Sequence, residues 1–283
     1  MKKPQFILTA IGTLLLVVLY FFANTVPPAK KISPKETIST EKEMEVQDIL
    51  QASKSKLSPD QLSYVNRLEN SVVRGDVKNQ QLKSYEQLAS FWKDSVRDSF
   101  LPAAYYMAEA AKLENSEKKL TFAAQLFLNN LRGQDNPALK GWMAKQAKEL
   151  FERALQLNPE NDSTKIGLGA SYIFGGGASS PQEVMQGIQK ILEVAQRDST
   201  NMYAQFMLGL GGIESGQFDK AITRLTKVVA HQPDNLEAIL NLAEAYEQRG
   251  SKAEAVKWYA EGKKLTNNQD LIKAIDQRIK LLQ

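Results

Sequence analysis

The sequence predicts an all-α fold: about five helix hairpins stacked into a solenoid, preceded by one transmembrane helix and closed by a capping helix. Three observations predict it. Apolar and small residues recur at an interval of 34 residues near the C-terminus. An uncharged stretch from Pro4 to Ala29 opens the chain behind Lys2 and Lys3. The composition also carries little from which enzyme chemistry is built, because among 283 residues there is no cysteine and one histidine, His231. That excludes disulfides, thiolate metal sites and cysteine nucleophiles, and leaves metal clusters and serine–histidine machinery almost without parts. No catalysis, cofactor or metal is expected. The 36 basic and 32 acidic side chains nearly balance, which is not the electrostatic footprint of a nucleic-acid binder.

Residues 1–26 read as a signal anchor. The dense apolar core from Phe6 to Ala23 holds eighteen residues. At about 1.5 Å per helical residue it spans about 27 Å, close to the hydrocarbon thickness of a bilayer. It exceeds the roughly 7–15 residues of a cleaved signal's hydrophobic region. Its end, Phe21-Phe22-Ala23-Asn24-Thr25, offers no convincing pair of small residues for cleavage. A cleaved signal peptide is the alternative. The short basic tail favours a cytoplasmic N-terminus, with the bulk of the chain on the periplasmic side of the inner membrane. Lys30, Lys31 and Lys35 weaken that asymmetry.

Residues 27–57 form a linker followed by a weak helix. Pro27, Pro28 and Pro34 favour an extended spacer, and Glu41 to Leu57 could be helical. Residues 58–81 are expected to be an N-terminal helical cap. Ser58-Pro59-Asp60 starts its helix, Leu62, Val65, Leu68 and Val72 give it one apolar face, and Gly75-Asp76 ends it.

The repeats occupy residues 82–269. Leu208 and Leu242, Gly216 and Gly250, Ala221 and Ala255, and Leu225 and Tyr259 are each 34 apart, and Pro233 closes the first of these two units. These residues resemble the tetratricopeptide repeat (TPR), a pair of antiparallel helices with a large–small pair, an aromatic, a glycine, a small residue and a closing proline at set places. Small residues let the two helices approach, and neither helix of a pair can bury its face alone. The pattern continues upstream, giving units at 82–116, 117–161, 162–201, 202–235 and 236–269. The third carries six extra positions at Gly175 to Ser180, and the second about eleven around Arg132 to Asn136. Residues 270–283, with Leu271, Ile275, Ile279 and Leu282 in helical spacing, read as the cap. The resemblance implies a right-handed α-solenoid of the bacterial membrane-anchored type.

Glycine runs at Gly167-Leu168-Gly169 and Gly209 to Gly212 fall at small-residue positions of the repeat, so close helix packing explains them better than a nucleotide site. Trp92, Trp142 and Trp258 fall on apolar faces and read as core. His231, near a helix C-terminus, reads as a capping cation.

The resemblance also implies that the first helix of each pair lines a concave groove that holds partner segments. The groove positions are Ile166, Ala170, Ile173 and Phe174 in the third unit and Tyr203, Phe206, Leu210 and Ile213 in the fourth. The fifth supplies Glu237, Leu240, Asn241, Glu244 and Glu247. The middle of the groove is then apolar and its far end acidic. Of the residues with which such repeats clamp a C-terminal carboxylate, only Asn241 is in place. An apolar strip of this kind is either a partner site or is covered by the chain itself or a second copy. The expected function is a membrane-tethered protein-interaction adaptor or chaperone-like module binding envelope proteins. The alternative is a self-associating organiser of an envelope complex.

Overall fold

A computed structural model describes residues 44–74, 77–96, 100–175 and 180–283. The expected anchor and most of the expected linker lie outside the described residues. Among the described residues no helix is long and apolar enough to cross a membrane.

The described residues form thirteen α-helices and no strand. They are α1 (Val46–Lys54), α2 (Pro59–Arg74), α3 (Lys78–Ser95), α4 (Phe100–Glu114), α5 (Glu117–Leu131), α6 (Pro137–Leu157) and α7 (Asp162–Phe174). There follow α8 (Pro181–Arg197), α9 (Met202–Glu214), α10 (Phe218–His231), α11 (Leu236–Gln248), α12 (Lys252–Lys264) and α13 (Gln269–Leu282).

Local chemistry sets these boundaries. Asn136, Asn161, Asn201 and Asn235 cap α6, α7, α9 and α11, each side chain accepting a hydrogen bond from a backbone N–H of the first turn. Asn268 does the same for α13. Ser180 and Glu183 form a reciprocal capping box on α8. Gly216 and Gly250 sit at φ +71° and +87° in the turns inside two hairpins, a conformation that a side chain disfavours. These are the two glycines at the 34-residue interval.

The helices pair as α3/α4, α5/α6, α7/α8, α9/α10 and α11/α12. The second helix of each pair packs on the first helix of the next, and α13 packs on α12. The first helices also touch in succession, α5 on α7, α7 on α9 and α9 on α11, which makes them the inner face of the stack. One apolar core runs from Ala104 in α4 to Ala245 in α11. Separate clusters under α2–α4 and under α12–α13 close the two ends. Trp92 and Trp142 are buried, and Trp258 is a half-buried member of the core, so the tryptophans pack as expected. The short helix α1 does not continue the stack. It folds back on α4, where Ile49 joins the main core.

Candidate partner-binding surface

The inner face follows from two sequence properties. The first helix of each pair carries large apolar residues one turn apart, and its partner helix approaches where glycine or alanine stands. At the tightest approach, a Cβ on Gly169 would lie 2.5 Å from the Gly187 carbonyl oxygen. Backbones of α7 and α8 thus meet directly, and the larger residues of α7 face the interior of the stack.

The strip, expected either to take a partner or to be covered by the chain itself or a second copy, is closed among the described residues. Ile166, Ala170, Ile173 and Phe174 on α7 are buried, as are Phe206 and Leu210 on α9 and Asn241 on α11. Tyr203, Ile213, Leu240 and Glu244 are half-buried. Part of the reason is local, since Ile173 packs where Gly211 lacks a side chain. The helix α5 also lies across the strip. Thr121, Gln125, Leu128 and Arg132 follow one another at i, i+4, i+7 and i+11, a single face of a helix. Thr121 Oγ1 lies 3.0 Å from Thr164 Oγ1 on α7. The Tyr203 hydroxyl on α9 donates to Gln125 Oε1 at 3.3 Å. Leu128 is buried. Arg132, the C-cap of α5, donates from Nη2 to Asn241 Oδ1 on α11 at 3.1 Å. From Thr121 to Arg132 the helix rises about 16 Å. Two helix-to-helix spacings of about 8–10 Å need that length. One face of α5 therefore crosses three successive inner helices.

The extra residues of the second unit supply the reach. The hairpin α5/α6 has 15 and 21 residues, whereas α9/α10 has 13 and 14. Phe127 on α5 meets Trp142 on α6 edge to face at 5.6 Å, so the lengthened hairpin has its own core. At its tip the Arg132 guanidinium lies 5.7 Å from the Phe174 ring centroid and 3.8 Å from Glu214 Oε1.

The acidic end of the inner face is mostly engaged. Glu247 accepts from the Tyr259 hydroxyl at 3.0 Å and from Arg278 Nε at 2.8 Å. Glu237 is exposed, and its backbone carbonyl accepts from the Asn241 amide. Glu244 has its pKa raised, chiefly by burial, with Arg132 pulling the other way and Glu214 and Glu247 adding to the rise. His231 is exposed beside the Lys227 carbonyl, 2.9 Å from Nδ1, which agrees with a capping role.

Among the described residues, a cleft is open near the N-terminal end of the stack. It measures about 300 Å³ and lies between α3, α4 and the first turns of α5. Ala89, Ala110, Ala111 and Ala123 are its buried small residues, and Met107 and Phe122 stand in it with Glu86, Lys93 and Lys119. Phe122 is 60% exposed. Lys119 bonds both Glu86 and Glu114. Neither Phe122 nor the crossing face of α5 stands out in the sequence, because α5 is apolar over most of its circumference. The one available signal was the insertion around Arg132 to Asn136.

Residues 213–279, from the end of α9 into α13, match the tetratricopeptide repeat family. Comparison with curated proteins gives no match. Among solved structures, the chain resembles TTC0263, a thermophilic TPR protein of Thermus thermophilus, with 17% identity, 73% of this chain and 98% of that chain covered, and a TM-score of 0.52. It is similar more loosely to MamA from Desulfovibrio magneticus RS-1, at 19% identity, 69% and 98% coverage and a TM-score of 0.45. YrrB, a TPR protein with an unusual peptide-binding site, matches at 15% identity, 74% and 97% coverage and a TM-score of 0.42. Only the first of these likenesses bears on the fold. It shows the fold alone, and the family match rests on residues 213–279.

Proposed function

We propose that this chain, a stack of helix hairpins carrying tetratricopeptide repeats, is a membrane-tethered protein-interaction module. Residues 1–26 hold it in the inner membrane and the repeats stand on the periplasmic side. The basis for the tether is the uncharged stretch from Pro4 to Ala29 behind Lys2 and Lys3. The module binds partners and performs no chemistry of its own.

The observation that carries the binding role is the open cleft between α3, α4 and α5. Phe122 stands exposed beside Met107 at the mouth of a concavity floored by buried alanines, so an apolar ring and an apolar hollow adjoin there. At about 300 Å³ the cleft is at the small end of ligand sites. It suits an extended protein segment that inserts one large apolar side chain and runs its backbone past Glu86, Lys93 and Lys119. Burial of the strip on α7 and α9 named from the sequence supports the cleft over that strip as the docking surface.

Phe122→Asp tests the reading. Because Phe122 is exposed, the variant should melt with the wild type yet lose association with its envelope partners. Met185→Asp, at an equally exposed apolar residue on α8, should keep it. Equal retention by both variants would refute the cleft.

A second reading is a self-associating organiser. It is favoured by the closed inner face, which leaves no long groove for an extended partner. If Phe122→Asp instead turns an oligomer into a monomer, the occupant of the cleft is a sister copy.

A further inference from the structure

We infer that the tip of the α5–α6 hairpin is a clasp: Arg132 holds the inner faces of α7, α9 and α11 shut, and its release uncovers the apolar strip beneath.

In a solenoid each repeat ordinarily touches its neighbours only. Here Arg132 and Asn241 are 109 positions apart and belong to hairpins with two others between them. Three helices converge on one side chain: Phe174 at the end of α7, Glu214 at the end of α9, and Asn241 in α11. A planar guanidinium serves such a junction because its face can lie against a ring while Nη2 donates to Asn241, and Nε stands at an ion-pair distance of 3.8 Å from Glu214 Oε1 without a hydrogen bond. The Asn241 amide is held for it, since its Nδ2 donates to the Glu237 carbonyl and leaves Oδ1 turned to Arg132.

Beyond α7, the α5–α6 hairpin reaches the later inner helices through Gln125 to Tyr203 and Arg132 to Asn241 and Glu214, with Leu128 buried between those two side chains on the same face. Within the hairpin, Phe127, Leu131, Trp142 and Met143 are buried together on α5 and α6. Opening the tip from α9 and α11 would leave those four residues packed and would expose Leu128. Beyond Arg132, Gly133 has open space around it and residues 135–137 are exposed, so the tip faces solvent past the clasp. Below it lie Phe174 and, one helical turn earlier on the same face, Ala170.

The full chain has no cysteine, so one introduced thiol reports on one place. Ala170→Cys puts it under the clasp. Ala255→Cys puts one of equal size and burial in the fifth hairpin, away from the clasp. The rate of maleimide labelling is measured for each in three backgrounds: Arg132, Arg132→Lys and Arg132→Ala. At Ala170→Cys, Arg132→Ala should raise the rate about tenfold, as expected when a charge-assisted hydrogen bond leaves a local opening equilibrium. Arg132→Lys, which keeps the charge and loses the fork, should fall between. The Ala255→Cys rate should not move. An unchanged rate at Ala170→Cys overturns the clasp. So does an equal acceleration at both thiols, which would show that Arg132 supports global stability only. No partner enters the measurement, so its failure leaves the cleft of α3–α5 as a docking site untouched.

Discussion

Gly169→Ala isolates the close approach on which the hairpin packing depends. The added Cβ would lie 2.5 Å from the Gly187 carbonyl oxygen and 2.6 Å from Ile191 Cγ1. The first of these is backbone, which cannot rotate away, so α7 and α8 must separate. Overpacking costs about 1–3 kcal/mol, and a clash with backbone falls in the upper part of that range, about 2–3 kcal/mol. Alanine recovers about 1 kcal/mol over glycine inside a helix. A net loss of about 1–2 kcal/mol should follow, lowering Tm by about 2–8 °C in a body of this size. Gly133→Ala is the control, because a Cβ there meets nothing within 4 Å. Gly209→Ala should fall between, since its clash is with the Leu225 side chain, which can shift. Thermal melts followed by circular dichroism rank the three. A Gly169→Ala protein that melts at or above the wild type would show that α7 and α8 do not meet at Gly169, and the packing register would be wrong.

Phe206→Asp, harmless on an open groove, should unfold the protein or cost more than the roughly 3–5 kcal/mol of a buried Phe→Ala change, because Phe206 is 9% exposed; a wild-type melt would contradict its burial. Ala221→Trp and Ala255→Trp should each lower Tm, as both residues are fully buried between paired helices. Glu244→Gln should stabilise the fold at neutral pH: a carboxyl whose folded pKa is raised binds its proton first in the folded state, so its charge costs stability above that pKa. The gain should shrink as pH falls toward the ordinary carboxyl value of 4.5 and vanish below it, and a gain independent of pH would point to another cause. A reporter active only outside the cytoplasm, fused after Gln283, should be active; an inactive fusion would reverse the proposed topology.

The helical-hairpin fold was legible because it is written in local terms. The 34-residue interval, the turn glycines and the apolar spacing of each helix depend on neighbours a few residues away. Gly216 and Gly250 adopt positive φ at the places where the interval puts the turns. The close packing of Gly169 against Gly187 follows from the same small-residue positions. What covers the inner face was not legible. Phe174 and Leu210 have the same composition and spacing whether a partner lies over them or α5 does. The residue that decides between the two, Arg132, is 109 positions from its acceptor on α11. Its insertion was visible in the sequence as excess length, but length alone carries no direction. Phe122 escaped for a related reason: on a helix apolar over most of its surface, periodicity does not single out the one ring left in solvent.

The central claim is that partners meet the α3–α5 cleft while the α7–α9 strip is closed by the chain itself. A photoreactive amino acid placed at Phe122, and separately at Phe206, in the full chain in its native membrane tests both halves together. The adducts are resolved by size and sequenced. The account predicts a discrete adduct with another envelope protein from position 122, and from position 206 only cross-links within the chain. A partner adduct from position 206 with none from position 122 would contradict it, and would return the binding site to the inner face of α7 and α9.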